Sequence, residues 1–254
     1  MNHTPSHQPF DRPATPAAEW QHSAHLARAT WIEPEQLCPP GQRLIVVAPH
    51  PDDEILACGG LLASLRGRER DLLLISVTDG EASHPGSSHW TEHRLRRQRP
   101  QESRHALQRL GLDVQALEWQ RLGLKDTAVA RDEAYLVNHL SQLLQAGDQV
   151  LCTWRGDGHC DHEAVGRACA QAAQARGAQL LEVPVWAWHW AEPEDPRLPW
   201  QRACKLRLDH DALQRKQQAI AAHVSQMASD DGHPPVLPAA TLECLMQPFE
   251  LVFR

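Results

Sequence analysis

The feature that most constrains the fold is the repeated alternation of short apolar runs with segments of helical periodicity. Apolar runs with strand character begin at "LIVVA" and recur at "DLLLISVT", "DVQALEW", "QVLCTW", "AQLLEVPVWAWHW", "KLRLD" and "ECLMQPFELVFR". Helical patterns such as "RDEAYLVNHLSQLLQAGD" separate most of them. Strands that are apolar on both faces and separated by helices form mostly parallel sheets with helices on both sides. We therefore predict a three-layer α/β/α fold, in which a mostly parallel sheet lies between two layers of helices.

The length and the composition favour one domain with an extension. Of the 254 residues, 42% are apolar, which is enough for a sizeable core. Residues 1–40 are rich in Pro, His and Ala and show little periodicity. We expect them to form a loosely ordered N-terminal extension, with a short helix near residues 23–31, and residues 41–254 to form a single catalytic domain.

Charge and cysteine usage exclude several classes of protein. The formal net charge of −7 argues against nucleic acid as a partner. We expect neither a secretory leader nor membrane insertion, because the start has no basic region followed by an apolar stretch and no apolar run approaches the length of a membrane-spanning helix. Seven cysteines without paired spacing do not form a disulfide framework. We expect a cytoplasmic enzyme with a small-molecule substrate, and the sequence leaves a homo-oligomer open.

Loops rich in acids and histidines follow three of the predicted strands. In parallel sheets the functional loops lie at the carboxyl ends of the strands, which places "PHPDDE", "TDGE" and "RGDGHCDH" on one edge. A catalytic zinc ion takes three protein ligands and keeps one position for water. His50 and Asp53 can supply two ligands, and the third can come from His159 or His162. Helix capping is an alternative explanation for the acids of "PDDE".

The two motifs together resemble those of a known family. "APHPDDE" joined to "DGHCDHEAVG" is similar to the PIG-L/LmbE-like zinc-dependent N-deacetylases, and "TDGE", "RPQES" and "KQQAIAAHVSQ" match further motifs in the expected order. The resemblance implies a Rossmann-like fold and removal of an acetyl group from an amino sugar, such as an N-acetylglucosamine-containing glycoside. It also implies that Zn²⁺, or another divalent metal, is held by His50, Asp53 and His162, with Asp52 as general base.

The remaining residues of the second motif suggest supporting roles. We expect His159 to stabilise the oxyanion, and either His159 or the acid form of Asp52 to protonate the leaving amine. Asp161 is predicted to orient His159 or a ligand, although helix capping explains it almost as well. Cys160 stands where the family commonly has proline, and its neighbours are the better metal ligands.

Three residues are candidates for substrate binding. Arg99 matches the family's basic residue near the substrate, and an ion pair within its helix, as with Glu102, is the alternative. If "WAWHW" is a strand, its three tryptophans share one face and His189 lies on the other. Trp188 and His189 are therefore predicted to contact a sugar, with a packed strand as the alternative. Residues 82–91 are predicted to form a mobile flap over the site.

Two other functions compete with this interpretation. One is an amidase that cleaves a different sugar-linked or small-molecule amide. The other is a non-catalytic Rossmann-like module that binds a nucleotide. The loop "PHPDDE" is not rich in glycine and its carboxylates would repel phosphate, which disfavours the second alternative.

Overall fold

A mixed sheet of eight strands forms the centre of the computed structural model, which describes residues 15–230 and 232–254. The strand order is β1-β7-β8-β6-β5-β2-β3-β4. Only β8 runs antiparallel to its neighbours in the described sheet, so the predicted α/β fold with a mostly parallel sheet is confirmed. The strands are β1 (Thr30–Ile32), β2 (Leu44–Ala48), β3 (Leu72–Thr78), β4 (Glu118–Leu124), β5 (Gln149–Thr153), β6 (Gln179–Val183), β7 (Ala203–Arg207) and β8 (Phe249–Phe253).

Helices cover both faces of this sheet. Side chains of β2 alternate between two apolar cores, with Leu44 and Val46 in one and Ile45 and Val47 in the other. Helices α4, α5 and α9 pack on the first face, and α6 and α7 on the second. The helices are α1 (Ala17–Trp20), α2 (Ala24–Arg28), α3 (Pro34–Leu37), α4 (Asp53–Ser64), α5 (Glu92–Leu110), α6 (Glu133–Leu143), α7 (Cys160–Arg176), α8 (Ala187–Trp190), α9 (His210–Ile220), α10 (Val224–Met227) and α11 (Ala239–Leu245). None of the helices in the described ranges is both long and apolar enough to cross a bilayer.

The described part of the N-terminal extension is packed on the domain, where we expected loose order. Strand β1 adds an edge to the sheet by pairing with β7. Trp20 is 1% exposed and meets Trp188 edge-on at 4.7 Å between ring centroids. Burial of such side chains holds residues 15–38 in place, because each contributes roughly 1.5–3 kcal/mol. Residues 1–14 of the predicted extension lie outside the described residues.

Three predicted strands differ from the observed elements. "WAWHW" is not a strand: β6 ends at Val183, Pro184 follows, and α8 takes up the next segment. The strand expected in "DVQALEW" begins only at Glu118, because Asp113 starts a turn whose carbonyl accepts from the N–H groups of residues 116 and 117. In the last segment, α11 precedes β8, so only residues 249–253 are extended.

A buried ion pair steadies α4, the helix that opens with Asp53. The helix is interrupted at Cys58, where φ is −142°. The Glu250 carboxylate accepts from the freed backbone N–H groups of Gly60 and Leu61 at 2.7 and 3.0 Å. Lys216 donates to the same carboxylate at 2.7 Å, and both charged side chains are buried. The Glu250 carboxylate thus replaces the helical hydrogen bonds lost at the interruption. Its ion pair with Lys216, a residue of α9, also holds α4 against α9.

The order of strands places a crevice at the end of β2. Strand β2 lies between β5 and β3, so the connections from β2 and β5 leave the sheet in opposite directions. Ligands in open α/β sheets bind at such a switch point, outside the carboxyl ends of the strands. The loops after β2 and β5, which contain the acids and histidines of "PHPDDE" and "RGDGHCDH", therefore meet at this crevice.

Candidate functional site

The loop after β2 holds a histidine and a carboxylate against each other. Asp53 is the first residue of α4, and its Oδ2 accepts from the backbone N–H of His50 at 2.9 Å. The same oxygen lies 3.1 Å from His50 Nδ1. Both residues are buried. The turn from β2 into α4 therefore fixes one imidazole nitrogen and one carboxylate oxygen at a single point.

His162, in the first turn of α7, brings a second imidazole to that oxygen. Its Nε2 lies 3.3 Å from Asp53 Oδ2, and its ring centroid lies 5.3 Å from that of His50. The structure thus brings together the three residues that the sequence predicts as metal ligands. Two imidazole nitrogens and a carboxylate oxygen are a donor set that suits a catalytic zinc ion with an open position.

His159 and Asp161 lie beside this group. One ring nitrogen from each of His50, His159 and His162 lies within 4.8 Å of the corresponding nitrogens of the other two. His159 Nδ1 accepts from the backbone N–H of Asp161 at 3.3 Å. The Asp161 carboxylate, however, lies 3.2 Å from His50 Nε2 and accepts from the N–H groups of residues 127 and 129. The carboxylate of Asp161 therefore contacts His50, one of the predicted ligands, whereas the backbone N–H of Asp161 contacts the ring of His159.

Arg99 joins the first two loops of the site. Its Nη1 donates to the carbonyl of Gly80 and its Nη2 to the carbonyl of Pro51, each at 2.8 Å. Nη2 also donates to Asp52 Oδ2 at 3.0 Å. Gly80 has φ +66°, and a Cβ there would overlap the guanidinium. The glycine of "TDGE" is thus required both by its backbone conformation and by the approach of Arg99.

Asp52 is strained and buried. Its φ of +139° is rare for a residue with a side chain, and such conformations persist only where the surroundings hold them. Burial raises the pKa of its carboxyl to about 7; Arg99 opposes this rise and the Asp53 carboxylate adds to it. A carboxyl group that gains and loses a proton near neutral pH suits general acid–base work.

The guanidinium of Arg99 therefore contacts Asp52 and two backbone carbonyls, whereas the sequence predicted that it contacts substrate. It is 3% exposed and lies against Asp52, which leaves little of it for a substrate to contact. The alternative ion pair with Glu102 does not form either, because Glu102 accepts from the backbone N–H and the hydroxyl of Ser225 at 2.9 and 2.6 Å. These bonds link α5 to α10.

Asp157 is a functional candidate that the sequence reasoning missed. It is fully buried, and His162 Nδ1 lies 2.6 Å from its Oδ2. The carboxylate also accepts from the backbone N–H groups of residues 185, 186 and 187 at 2.7–3.0 Å. Carboxylates behind metal-ligating histidines fix the tautomer and the ring orientation. Its presence in "RGDGHCDH", two residues before His159, was the available signal.

The charges around His162 follow from these contacts. Burial lowers its pKa, but the carboxylates of Asp53 and Asp157 outweigh burial and raise the pKa to about 9. With Nδ1–H donated to Asp157, Nε2 is the nitrogen that faces Asp53. The ring is thereby oriented with Nε2 toward the predicted ligand group.

Asp126, in the loop after β4, was also missed. Its Oδ1 lies 3.3 Å from His50 Nε2, and its Oδ2 accepts from the N–H of Ala82 at 2.8 Å. Burial opposes protonation of His50, yet Asp126, together with Asp161 and Asp53, raises its pKa well above the ordinary value. Several buried carboxylates thus surround the imidazoles, and a divalent cation would offset their charge.

Cys160 stays at the margin of the group. Its Sγ lies 3.7 Å from Asp161 Oδ1, and burial, with help from that carboxylate, raises the thiol pKa to about 11. Metals bind the thiolate, so a thiol that holds its proton is a weaker donor than the neighbouring imidazoles. Within the described residues, the thiol of Cys160 contacts the carbonyl of Thr127 at 3.9 Å in addition to the Asp161 carboxylate.

The predicted substrate residues on α8 face different surroundings because this segment is helical. Trp188 is 4% exposed and packs against Trp20 in the core. His189 is half-buried, and its ring lies 5.0 Å from that of Trp186 with a tilt of 35° between the planes. The ring of Trp186 meets that of His159 at 6.1 Å. Trp186 therefore flanks the site where the strand interpretation had put forward Trp188.

The loop at residues 82–91 is anchored at several points. Its first N–H is bound by Asp126, as described above. Ser83 and His84 are hydrogen-bonded to each other at 2.9 Å, and Trp90 is 7% exposed beneath the guanidinium of Arg94. The prediction of a mobile flap over the site stays untested, but the loop adjoins the site through Asp126.

Comparison with protein families identifies the chain's relatives. A family model described as "PIG-L: GlcNAc-PI de-N-acetylase" matches residues 45–173, about half of the chain, from β2 into α7. The match includes all the predicted metal ligands and both loops that bear them.

One curated relative is the 1D-myo-inositol 2-acetamido-2-deoxy-alpha-D-glucopyranoside deacetylase of Nocardia farcinica (strain IFM 10152). The two are 26% identical over 195 residues, which cover 68% of this chain and 62% of the relative. The chain thus spans less than two thirds of the length of that relative.

Solved structures show the same fold, and the family follows from the sequence match. A deacetylase triple mutant of the teicoplanin biosynthetic pathway superposes with a TM-score of 0.62 at 19% identity, covering 84% of this chain and 97% of that one. The N,N'-diacetylchitobiose deacetylase of Pyrococcus horikoshii gives a TM-score of 0.56 at 17% identity, with coverages of 77% and 73%. Because the family model spans half of its residues, this chain belongs to the PIG-L family.

Proposed function

We propose that the chain is a metal-dependent N-deacetylase that hydrolyses the N-acetyl amide of an amino sugar of the N-acetylglucosamine type. The observation that carries this proposal is the convergence of His50, Asp53 and His162 beside the buried carboxyl of Asp52. The description of the family model and the name of the Nocardia relative support the same class of reaction.

The three converging residues would hold the metal. His50 and His162 would each supply an imidazole nitrogen, and Asp53 a carboxylate oxygen. When bound, zinc or another divalent cation supplies Lewis acidity, which lowers the pKa of water and polarises an amide carbonyl. Asp126, Asp157 and Asp161 keep the two imidazoles oriented from behind.

Asp52 moves the proton in this proposal. Its carboxylate removes a proton from the attacking water and later gives that proton to the amine nitrogen as the C–N bond breaks. The C–N bond breaks to give acetic acid and the amine, and the acid then passes its proton to the amine. The products near neutral pH are acetate and the protonated amino sugar, so atoms and charges balance. The pKa of about 7, caused chiefly by burial, lets one group take and return the proton near neutral pH. Arg99 fixes the carboxylate in position for both steps.

His159 acts as a neutral hydrogen-bond donor. Its Nδ1 accepts from the backbone of Asp161, so the proton of the neutral ring resides on Nε2. Burial, with the neighbouring imidazoles of His162 and His50, lowers its pKa to about 2 and keeps the ring uncharged. A neutral ring can stabilise the oxyanion of the tetrahedral species through Nε2–H. This supports Asp52, and not His159, as the group that protonates the amine.

The test is release of free amine from a panel of N-acetylated sugars by the zinc-loaded chain. We expect turnover by the wild type and a loss of at least about 100-fold in Asp52→Asn, the usual scale for a general base. Metal analysis should show unchanged zinc in that variant. Asp211→Asn, an exposed carboxylate on α9, is the matched control and should behave as wild type.

Three outcomes would each contradict a part of the proposal. Undiminished turnover in Asp52→Asn would remove this residue from the proton transfer. If the wild type released amine only from N-acyl compounds without a sugar, the chain would be an amidase of a different substrate class. Absence of bound zinc in protein prepared without chelator would remove the metal from the proposal.

A further inference from the structure

The backbone of Asp52 has a conformation that its neighbours must impose. Its φ is +139° and its ψ is −28°, a combination that residues with a side chain rarely adopt. Within the described ranges, Thr127 with φ +66° is the only other residue apart from glycine that has a positive φ. Such conformations cost free energy and persist only where the surroundings hold them. Specific contacts must therefore keep Asp52 in place.

The strained backbone removes Asp52 from the role that its position favours. Asp52 is the N-cap of α4, where an aspartate with extended backbone ordinarily accepts from the N–H groups of the first helical turn. Within the described residues its side chain makes no such bond, and its Oδ2 accepts from Arg99 Nη2 at 3.0 Å instead. The conformation thus turns the proposed general base away from its own helix and toward the guanidinium.

The peptide bond between Pro51 and Asp52 is held at both ends. Its carbonyl oxygen accepts from Arg99 Nη2 at 2.8 Å, and its N–H donates to Glu54 Oε2 at 3.1 Å. The φ angle of Asp52 is the rotation of this planar unit about the N–Cα bond, so two contacts on opposite edges of the plane fix the angle. Arg99 supplies one of these contacts, and Glu54 supplies the other.

Glu54 is a buried carboxyl group that the proposed proton transfer does not use. It is 1% exposed and lies in the first turn of α4. An acid in the first turn complements the helix dipole, but that effect does not require burial. Burial of a carboxyl group costs free energy unless hydrogen bonds compensate, and the N–H of Asp52 provides such a bond. The placement of Glu54 is explained if its oxygen holds the peptide bond of the proposed base.

We infer that Glu54 is a positioning residue that, together with Arg99, keeps the Pro51–Asp52 peptide bond in its strained orientation and the Asp52 carboxylate beside the predicted metal ligands. Without an acceptor at Glu54, this peptide plane rotates and Asp52 relaxes to the extended backbone of an ordinary N-cap. Its carboxylate then accepts from the first turn of α4 and leaves Arg99. The inference rests on the proposed function for the role of Asp52, while its conformational part is tested without turnover.

The test replaces Glu54 by residues with and without an acceptor oxygen. Glu54→Met keeps a long side chain but cannot accept from Asp52, and Glu54→Leu is made in parallel so that the result does not depend on one apolar side chain. In crystal structures of both variants, φ of Asp52 should become negative. With an N-acetylated sugar that the wild type hydrolyses, kcat should fall about 10- to 100-fold, the scale of a misplaced catalytic group, with KM and zinc content changed less than about twofold. Glu54→Gln retains an acceptor oxygen and should keep the positive φ and most of kcat.

The matched control is Glu69→Met. Glu69 is also a buried glutamate whose carboxylate accepts from a backbone N–H two residues before it, that of Gly67 at 3.1 Å, but it lies beyond the C-terminal end of α4. This variant should leave φ of Asp52, kcat and zinc content unchanged.

Four results would each overturn the positioning role of Glu54. They are an unchanged φ of Asp52 in both apolar variants, full kcat in those variants, loss of their zinc, or an equal loss of kcat in Glu54→Gln. Wild-type protein that releases no amine, with φ of Asp52 reversed in Glu54→Met, would instead refute the proposed reaction and leave the conformational role of Glu54 in place.

Discussion

The substitution Asp157→Asn tests how the proposed metal site is supported. Asp157 uses its two oxygens differently: Oδ1 accepts from the N–H groups of Val185 and Ala187, and Oδ2 from Trp186 and His162. An asparagine can keep Oδ1 in place and retain two of these bonds. Its amide nitrogen would then replace Oδ2 and face two donors.

The geometry sets the size of the effect. To accept from the new amide, His162 must move its proton from Nδ1 to Nε2, the nitrogen that faces Asp53. Metal binding would have to reverse this tautomer and leave the amide nitrogen without an acceptor. Loss of such a supporting carboxylate typically weakens metal binding 10- to 100-fold, or by about 1.4–2.7 kcal/mol. We expect Asp157→Asn to fall in this range.

The assay is competition for zinc with a chromophoric chelator, with circular dichroism to confirm folding. Asp195→Asn is the matched control. Asp195 is also buried, but its carboxylate accepts from the backbone N–H and the guanidinium of Arg197 instead of from an imidazole. Wild-type zinc affinity in a folded Asp157→Asn variant would refute the reasoning. It would show that the Asp157–His162 bond does not support the metal.

Two further predictions concern Arg99 and pH. Arg99→Lys removes the fork that bonds Gly80, Pro51 and Asp52 together, so kcat should fall about 10- to 100-fold with KM and zinc content nearly unchanged; a change confined to KM would instead favour direct substrate binding. In the metal-free protein, burial lowers the pKa of His162, but the carboxylates, mainly Asp53, outweigh burial and raise the pKa to about 9. The charged His162 ring therefore contributes fully to the free energy of unfolding below about pH 6.5, and this contribution is lost as the pH rises through 9. Urea unfolding should show a loss of up to about 3 kcal/mol from this group over that window. The loss should be smaller by that amount in His162→Gln, where other buried groups with a raised pKa, such as His50, still contribute.

Much of the candidate site was predictable because it depends on local sequence. A strand that is apolar on both faces, such as β2, must lie inside a parallel sheet, and the residues after it must lie on the functional edge. The same rule applies to β5, so the meeting of His50 and His162 follows from two local patterns and one topological rule. The acids of "PDDE" could be placed at the start of α4 for the same reason.

The supporting residues were not predictable, because their roles depend on contacts between distant segments. Asp157 is held against the ring of His162 only because the segment after β6 presents the backbone N–H groups of residues 185–187 to it. Asp126 reaches His50 from a loop after β4, whose start was placed several residues too early. Nothing in "RPQES" shows that Arg99 points to Asp52 and not to solvent.

The segment "WAWHW" shows most clearly where local reasoning stops. Five residues fit a two-residue period as readily as one helical turn. The strand interpretation puts all three tryptophans on one face, whereas the helix separates them. By itself the sequence determined the layered fold, the edge that bears the chemistry and the residue types gathered there. Only the tertiary structure decided which carboxylate stands behind which imidazole and that Trp186 flanks His159, because hydrogen bonds and ring contacts between separate elements depend on how those elements pack.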